Sequence, residues 1–128
     1  MLEKEKIVTI TSEIAPYAPE EQLGDYHLRR WTWYESQGAK EKASTIIDAK
    51  KGLIRMSVND LYLHVMLTTI RDPPKTLEGK WNADYIRDQL DEDVGNILRD
   101  ACRDINGMTE REQRGFLRPS ELEKDTPG

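Results

Sequence analysis

The side chains that could act as nucleophiles, bases or metal ligands are few and widely spaced. The two histidines, His27 and His64, have no Ser, Cys or second His at the spacing that catalysis or metal binding requires. The single cysteine, Cys102, cannot form an internal disulfide and has no second thiol with which to share a zinc ion. A structural role is therefore the favoured interpretation of all three, and we expect Cys102 to pack as a small hydrophobic side chain.

Acidic side chains are more numerous, but their spacing fits helix starts better than a metal site. The acidic run at residues 88–93 lacks the alternating oxygen ligands, central glycine and distal glutamate of an EF-hand loop. A small enzyme built on Glu35, Asp60 or Asp72 is an alternative that we disfavour, because no base and nucleophile converge on them. The glycines are scattered singly, so no phosphate-binding loop is present. The sequence thus predicts a non-enzymatic protein without metal or cofactor.

Three tryptophans are candidates for binding a protein partner. Trp31 and Trp33 flank Thr32, a predicted helix cap, and Trp81 precedes Asn82, another predicted cap. Core packing is the default interpretation of a tryptophan. The alternative is that exposed ones contact another protein, since aromatic residues are common at interface hot spots. We therefore take Trp31, Trp33 and Trp81 as hypothetical partner-binding residues.

Length and composition favour one domain that binds protein. A chain of 128 residues with 37% hydrophobic and 34% charged residues suits a single domain with a modest core and a well-hydrated surface. The formal net charge is -5 and no block of basic residues could follow a phosphate backbone, so nucleic acid is not an expected partner. No apolar run is long enough to cross a bilayer and no signal peptide opens the chain. We expect a cytoplasmic protein that contacts no membrane.

The N-terminal half shows strand patterns around one helix. The predicted elements are a strand at Lys6–Thr11 with a proposed partner at Tyr26–Arg30, a helix at residues 33–43, and a hairpin of Ser44–Asp48 with Leu53–Met56. The strands alternate apolar and polar residues, as half-buried strands do. Thr32 and Glu35 have the spacing of a capping box, which predicts the helix start. Gly52 can adopt the positive φ that a hairpin turn needs.

The C-terminal half is predicted to be helical. The expected helices run from Val58 to about Arg71, from Asn82 to about Leu90, from Asp91 to Ile105, and from Thr109 to about Leu117. The first is apolar on nearly every face and belongs at the centre of the fold; Pro73 must end it. The third has apolar residues on one stripe at i, i+3, i+4, i+7, i+8 and i+11, which predicts that they face the core. They are Val94, Ile97, Leu98, Ala101, Cys102 and Ile105.

The fold class that follows is α+β. The C-terminal half is mainly α-helical, and the N-terminal half contains a small antiparallel β-sheet and hairpins. We expect residues 1–117 to form a single globular domain, in which residues 1–25 are an N-terminal strand and loop. Residues 118–128 contain one large apolar side chain, too few to order the segment, and are expected to be a mobile tail.

The order of these elements resembles a known protein family. A tryptophan-containing start, RRWTWYESQGAKEKAST, leads into a turn and strand, IIDAKKGLIRMSV, and an apolar helix that ends in proline, DLYLHVMLTTIRDPP. An aspartate-rich helix start and a closing segment follow, LDEDVGNILRDACRDINGMTEREQRGF. This series, from Leu28 to Phe116, resembles the small tail assembly chaperones of long-tailed phages and prophages.

The resemblance implies a function in virion assembly. A member of this family binds the tape-measure protein and tail-tube subunits in the host cytoplasm, keeps an aggregation-prone partner soluble, and is absent from the finished particle. Many such genes also produce a longer form by ribosomal frameshifting. A rival hypothesis is a small acidic adaptor or regulatory protein that masks a basic partner. The genes on either side would separate the two hypotheses.

Overall fold

A computed structural model describes residues 4–48 and 50–108 of the chain. Within them are five strands, β1 Glu5–Ile10, β2 Gly24–Arg29, β3 Ser44–Asp48, β4 Leu53–Met56 and β5 Ile70–Asp72, and four α-helices, α1 Trp33–Ala43, α2 Val58–Thr69, α3 Ala83–Asp88 and α4 Glu92–Asn106. The predicted α+β class is confirmed. The predicted helix from Thr109 to Leu117 and the predicted tail at residues 118–128 lie outside the described residues.

Strands β1, β2 and β5 form an antiparallel sheet with β2 in the middle. The predicted pairing of the first two strands is confirmed, with Glu5 opposite Arg29 and Ile10 opposite Gly24. Alternation along β2 buries Tyr26 and Leu28 on one face and leaves the intervening side chains on the other. The second sheet is the predicted β3–β4 hairpin, in which Gly52 has a φ of 66°.

The third strand of the main sheet corrects one prediction. The central helix ends at Thr69 instead of continuing to about Arg71, because Ile70 already has an extended backbone with φ -80° and ψ 104°. Pro73 disfavours helical geometry in the residue before it. The extended residues can then pair with the edge of β2, where Leu28 faces Ile70. Ile70 and Arg71 therefore belong to β5 instead of the end of the helix, and the side chain of Ile70 is buried there.

Side-chain caps start α1 to α4, and the Ser57, Asn82 and Asp91 caps, like that of Thr32, lie at residues whose types and positions predict them from the sequence. At α1, the Thr32 hydroxyl accepts a hydrogen bond from the Glu35 amide at 3.2 Å, and the Glu35 carboxylate accepts one from the Thr32 amide at 2.9 Å. The hydroxyl of Ser57, the side-chain carbonyl of Asn82 and the carboxylate of Asp91 accept amide hydrogen bonds at the other three starts. Each cap satisfies amide groups that the helix itself leaves without partners.

The core lies where α2 and α4 meet the sheet. Helix α4 contacts β1, β2 and α2, and α2 also contacts α1 and α3. The buried apolar side chains of these two helices are Leu61, Leu63, Val65 and Met66 of α2 and Val94, Leu98, Ala101, Cys102 and Ile105 of α4. The central position predicted for α2 is therefore confirmed, although Tyr62 and Leu67 are only half-buried. Within the described residues, no helix has the length and apolar character to cross a membrane.

Candidate functional site

The residues with potential chemistry are separated in the fold. His27 is exposed on β2, whereas His64 is half-buried on α2 and has a pKa lowered by burial, with a smaller contribution from Lys42. Cys102 is completely buried in α4, and burial raises the pKa of its thiol to about 12. The thiol is therefore neutral at physiological pH. Across residues 4–48 and 50–108, no three His, Cys, Asp or Glu side chains are grouped to hold a metal ion.

The acidic candidates at helix starts have structural partners. Glu35 accepts a hydrogen bond from the Arg71 guanidinium at 2.8 Å in addition to completing the α1 cap. The Arg71 bond, followed by the hydrogen bonds with Thr32, holds the pKa of Glu35 below its usual value. Asp91 caps α4 by accepting hydrogen bonds from the amides of Asp93 and Val94. Glu35 therefore acts as part of a helix cap and as an ion-pair partner, and Asp91 acts as a helix cap.

The three tryptophans lie in different surroundings. Trp33 is 77% exposed at the first position of α1. Trp31 is half-buried against the core, and its amide donates a hydrogen bond to the Asn106 side chain at 2.9 Å. Trp81 is also half-buried; its ring meets that of Tyr26 edge-on, with centroids 5.8 Å apart. Trp33 is thus the most accessible of the three for a partner.

A groove with large apolar side chains in its lining lies between α2, α3 and α4. Its volume is about 510 Å³. Leu63, Met66 and Ile86 form buried parts of its lining, and Tyr62 and Leu90 are half-buried beside them. Five large apolar side chains, from α2, α3 and the segment between α3 and α4, therefore border one opening. Such a surface can receive apolar side chains from another protein.

Charged residues of both signs surround this groove. Asp60 and Glu92 supply carboxylates, while Arg87 and Arg99 supply guanidinium groups. The Arg99 guanidinium lies 5.8 Å from the centroid of the Tyr62 ring, within cation–π range. A polar rim around an apolar centre is the usual anatomy of a protein interface.

A buried glutamine holds the α3–α4 junction in place behind the groove. The Gln22 side-chain amide donates hydrogen bonds to the carbonyl of Gln89 at 2.7 Å and to the Tyr85 hydroxyl at 3.1 Å. Its side-chain oxygen accepts one from the Asp91 amide at 2.9 Å. The Gln22 backbone carbonyl accepts a fourth from the Tyr26 hydroxyl at 2.7 Å. These bonds tie the loop after β1 to the segment that carries one wall of the groove.

The groove and its support were not predicted from the sequence. Gln22 lies in a polar loop, and nothing in that loop indicates that its side chain contacts residues more than sixty positions away. Gly95 offers a weak signal, because a glycine inside a strongly amphipathic helix costs stability and often has a packing role. In the structure Gly95 lines the groove opposite Leu90.

Replacing Gly95 with alanine is expected to stabilise the protein by about 0.5–1 kcal/mol, because alanine has the higher helix propensity. A Cβ at this position would meet the Leu90 side chain at 3.5 Å, an ordinary van der Waals contact. Urea unfolding of the wild type and Gly95→Ala would measure the difference. A loss of stability would show that the helix needs the glycine at this position.

Comparison of the chain with family models, with curated proteins and with solved structures found no match.

Proposed function

We propose that this protein is a non-enzymatic tail assembly chaperone of a phage or prophage. It binds the tape-measure protein and tail-tube subunits in the host cytoplasm and leaves before the virion is complete. The order of sequence segments from Leu28 to Phe116 suggests the family. The groove between α2, α3 and α4 is the observation that supports a binding function.

The groove is suited to the apolar face of a partner helix. An amphipathic helix presents large side chains at i, i+3, i+4 and i+7, and a volume of about 510 Å³ accommodates a few of them. Leu63, Met66 and Ile86 form an apolar floor that is already buried, and the half-buried Tyr62 and Leu90 beside them have apolar surface that a partner would cover. A partner whose exposed apolar surface causes aggregation is thereby kept in solution. Trp31, Trp33 and Trp81 stay candidate partner-binding residues, with Trp33 the most exposed.

A binding function without catalysis agrees with the surroundings of the reactive groups. The Cys102 thiol is neutral and inaccessible, and Glu35 is engaged by Arg71 and Thr32. No nucleotide is required in this proposal, because binding alone shields the partner from aggregation.

Purified protein is expected to suppress aggregation of the tape-measure or tail-tube protein encoded beside it, in proportion to its concentration and without nucleotide. Light scattering measures aggregation, and calorimetry measures affinity. Gly95→Leu places a large side chain at the groove wall and is expected to weaken binding about tenfold or more, which is at least about 1.4 kcal/mol. Gly95→Ala, which adds one methyl group, should have a much smaller effect on binding.

A matched control is available on α1. Beyond its chain neighbours and the adjacent backbone of α1, no described atom lies within 4 Å of a Cβ at Gly38, which does not line the groove. Gly38→Leu is therefore expected to bind like the wild type, and circular dichroism would verify that both leucine variants are folded. Equal partner affinity of Gly95→Leu and Gly38→Leu would exclude the groove as the binding site. Unchanged aggregation with wild-type protein would exclude the chaperone function itself.

A further inference from the structure

One face of α4 connects the groove to the last described residue, Met108. The residues of α4 that line the groove on this face are Glu92, Asn96 and Arg99. Arg103 follows Arg99 at the same helical spacing and lies one turn closer to Met108. A chain that turns back at Met108 therefore has a short path to the groove along this face.

The C-terminal cap of α4 changes the direction of the chain. Gly107 has a left-handed backbone with φ 70°, and the Met108 amide donates a hydrogen bond to the Arg103 carbonyl at 2.8 Å. The Met108 side chain is buried in the core. The chain therefore leaves Met108 beside α4 instead of continuing along the helix axis.

Arg103 has a buried polar atom without a partner. Its Nε donates a hydrogen bond to no acceptor in the part of the chain that the structure describes. An unpaired buried donor is unfavourable, so an acceptor is expected close to this atom. Glu110 and Glu112, which follow Met108 in the sequence, carry carboxylates, and these are the acceptors that a guanidinium group binds most strongly.

The segment from Thr109 to Arg118 contains two adjacent large apolar residues, Phe116 and Leu117, and we call them the apolar pair. The other residues of the segment are polar, charged or glycine. Because apolar side chains are unfavourable in water, an apolar pair in a polar segment favours a contact with an apolar surface.

The apolar pair is close enough along the chain to reach the groove. From Met108 to Phe116 the chain spans about 12 Å as a helix and about 26 Å when extended. Along α4, Arg99 lies about 10 Å and Gly95 about 16 Å back from Asn106. A helical segment therefore reaches the part of the groove at Arg99, and an extended one reaches Gly95.

We propose that the apolar pair occupies the groove between α2, α3 and α4 while no partner is bound, so that a partner must displace it. The half-buried Tyr62 and Leu90 have the apolar surface that the pair would cover. A segment joined by a short linker has an effective concentration in the millimolar range, so even a weak contact keeps the groove occupied. The regulatory consequence rests on the proposed chaperone function, whereas the contact itself does not.

A spin label in the full chain tests the contact without any partner. Cys102 is buried and burial raises the pKa of its thiol, so a thiol-specific nitroxide should react at the new side chain of Ser120→Cys alone. The nuclear magnetic resonance signals of Tyr62, Leu63 and Leu90 are expected to broaden, and reduction of the nitroxide should restore them.

Phe116→Ser with Leu117→Ser, made in the labelled chain, should lose most of this broadening. The matched control is Glu121→Ser with Lys124→Ser, which alters two polar residues of the same terminus and keeps the net charge; it should retain the broadening. Circular dichroism would verify that both variants are folded. No broadening in the labelled parent, or equal broadening in the two double variants, would overturn the proposal.

Calorimetry with the tail partner then tests displacement. Phe116→Ser with Leu117→Ser should bind the partner about tenfold more tightly than the wild type, because its groove is already free. Equal or weaker affinity would overturn the displacement. Broadening in a protein that binds neither tail partner would support the contact and exclude the chaperone function, so the two failures are distinguishable.

Discussion

Replacing Leu98 with alanine is expected to lower the free energy of unfolding by about 2–5 kcal/mol. Leu98 lies on the inner face of α4 and has no exposed surface. Its truncation removes apolar contacts and leaves a cavity that close-packed neighbours can fill only in part. Chemical denaturation monitored by circular dichroism would measure the change.

The neighbouring residue supplies a control for this substitution. Ile97 is on the same helix but is only half-buried at the edge of the core. Ile97→Ala changes helix propensity similarly and removes a side chain of the same size, so it should cost clearly less than Leu98→Ala. Equal losses from the two variants would mean that α4 does not present its predicted face to the core.

The second large effect is expected from Gln22→Glu, which keeps the size of the side chain but replaces its amide group by a carboxyl group. In the wild type that amide donates to the Gln89 carbonyl at 2.7 Å. A carboxylate at this buried position would face the carbonyl oxygen with no hydrogen to share. The expected cost at pH 7 is about 3–5 kcal/mol, as for other uncompensated buried charges.

The cost of Gln22→Glu should depend on pH in a defined direction. Burial and the nearby carbonyl raise the pKa of the new carboxyl in the folded state above its unfolded value of about 4.3. The folded state then binds the proton more tightly, so the variant loses stability relative to the wild type as pH rises above that value. Urea unfolding at pH 4 and pH 7 would show the smaller difference at pH 4.

Gln22→Met tests the origin of this pH dependence. Methionine has a similar length and no titratable group. The loss in the free energy of unfolding caused by Gln22→Met should therefore be nearly the same at both pH values. It would still leave the Asp91 amide and the Gln89 carbonyl without the partners they have now. If the free energies of unfolding of Gln22→Glu and Gln22→Met changed with pH in the same way, the assignment of the Gln22 side-chain amide to a buried position would be wrong.

The helix starts could be predicted because caps are local. Thr32 and Glu35 are three residues apart, and their reciprocal hydrogen bonds require nothing from the rest of the chain. The same applies to the left-handed backbone of Gly107, which ends α4 with a φ of 70°. The apolar stripe of α4 is equally local, and it correctly identified Leu98 as a core residue.

The conformation of Ile70 is a feature that could not be predicted from the sequence. A helical pattern continues through this residue, and pairing with the edge of β2, together with Pro73 shortly after it, makes an extended conformation the better alternative. The sequence does contain Pro73, which predicted that a helix must end, but it does not contain the register of a strand formed more than forty residues earlier. A tertiary partner therefore overrode the local preference.

What the sequence by itself determined is the α+β class, the order of elements apart from β5, the caps and the apolar faces of α2 and α4, because each depends on residues within a few turns of one another. The tertiary structure decided which surfaces are available. It exposed Trp33 while half-burying Trp31 and Trp81, buried Gln22 completely, and brought Leu63, Ile86 and Leu90 to one groove. Exposure and concavity arise from contacts between elements distant in sequence, and no local pattern of residues encodes those contacts.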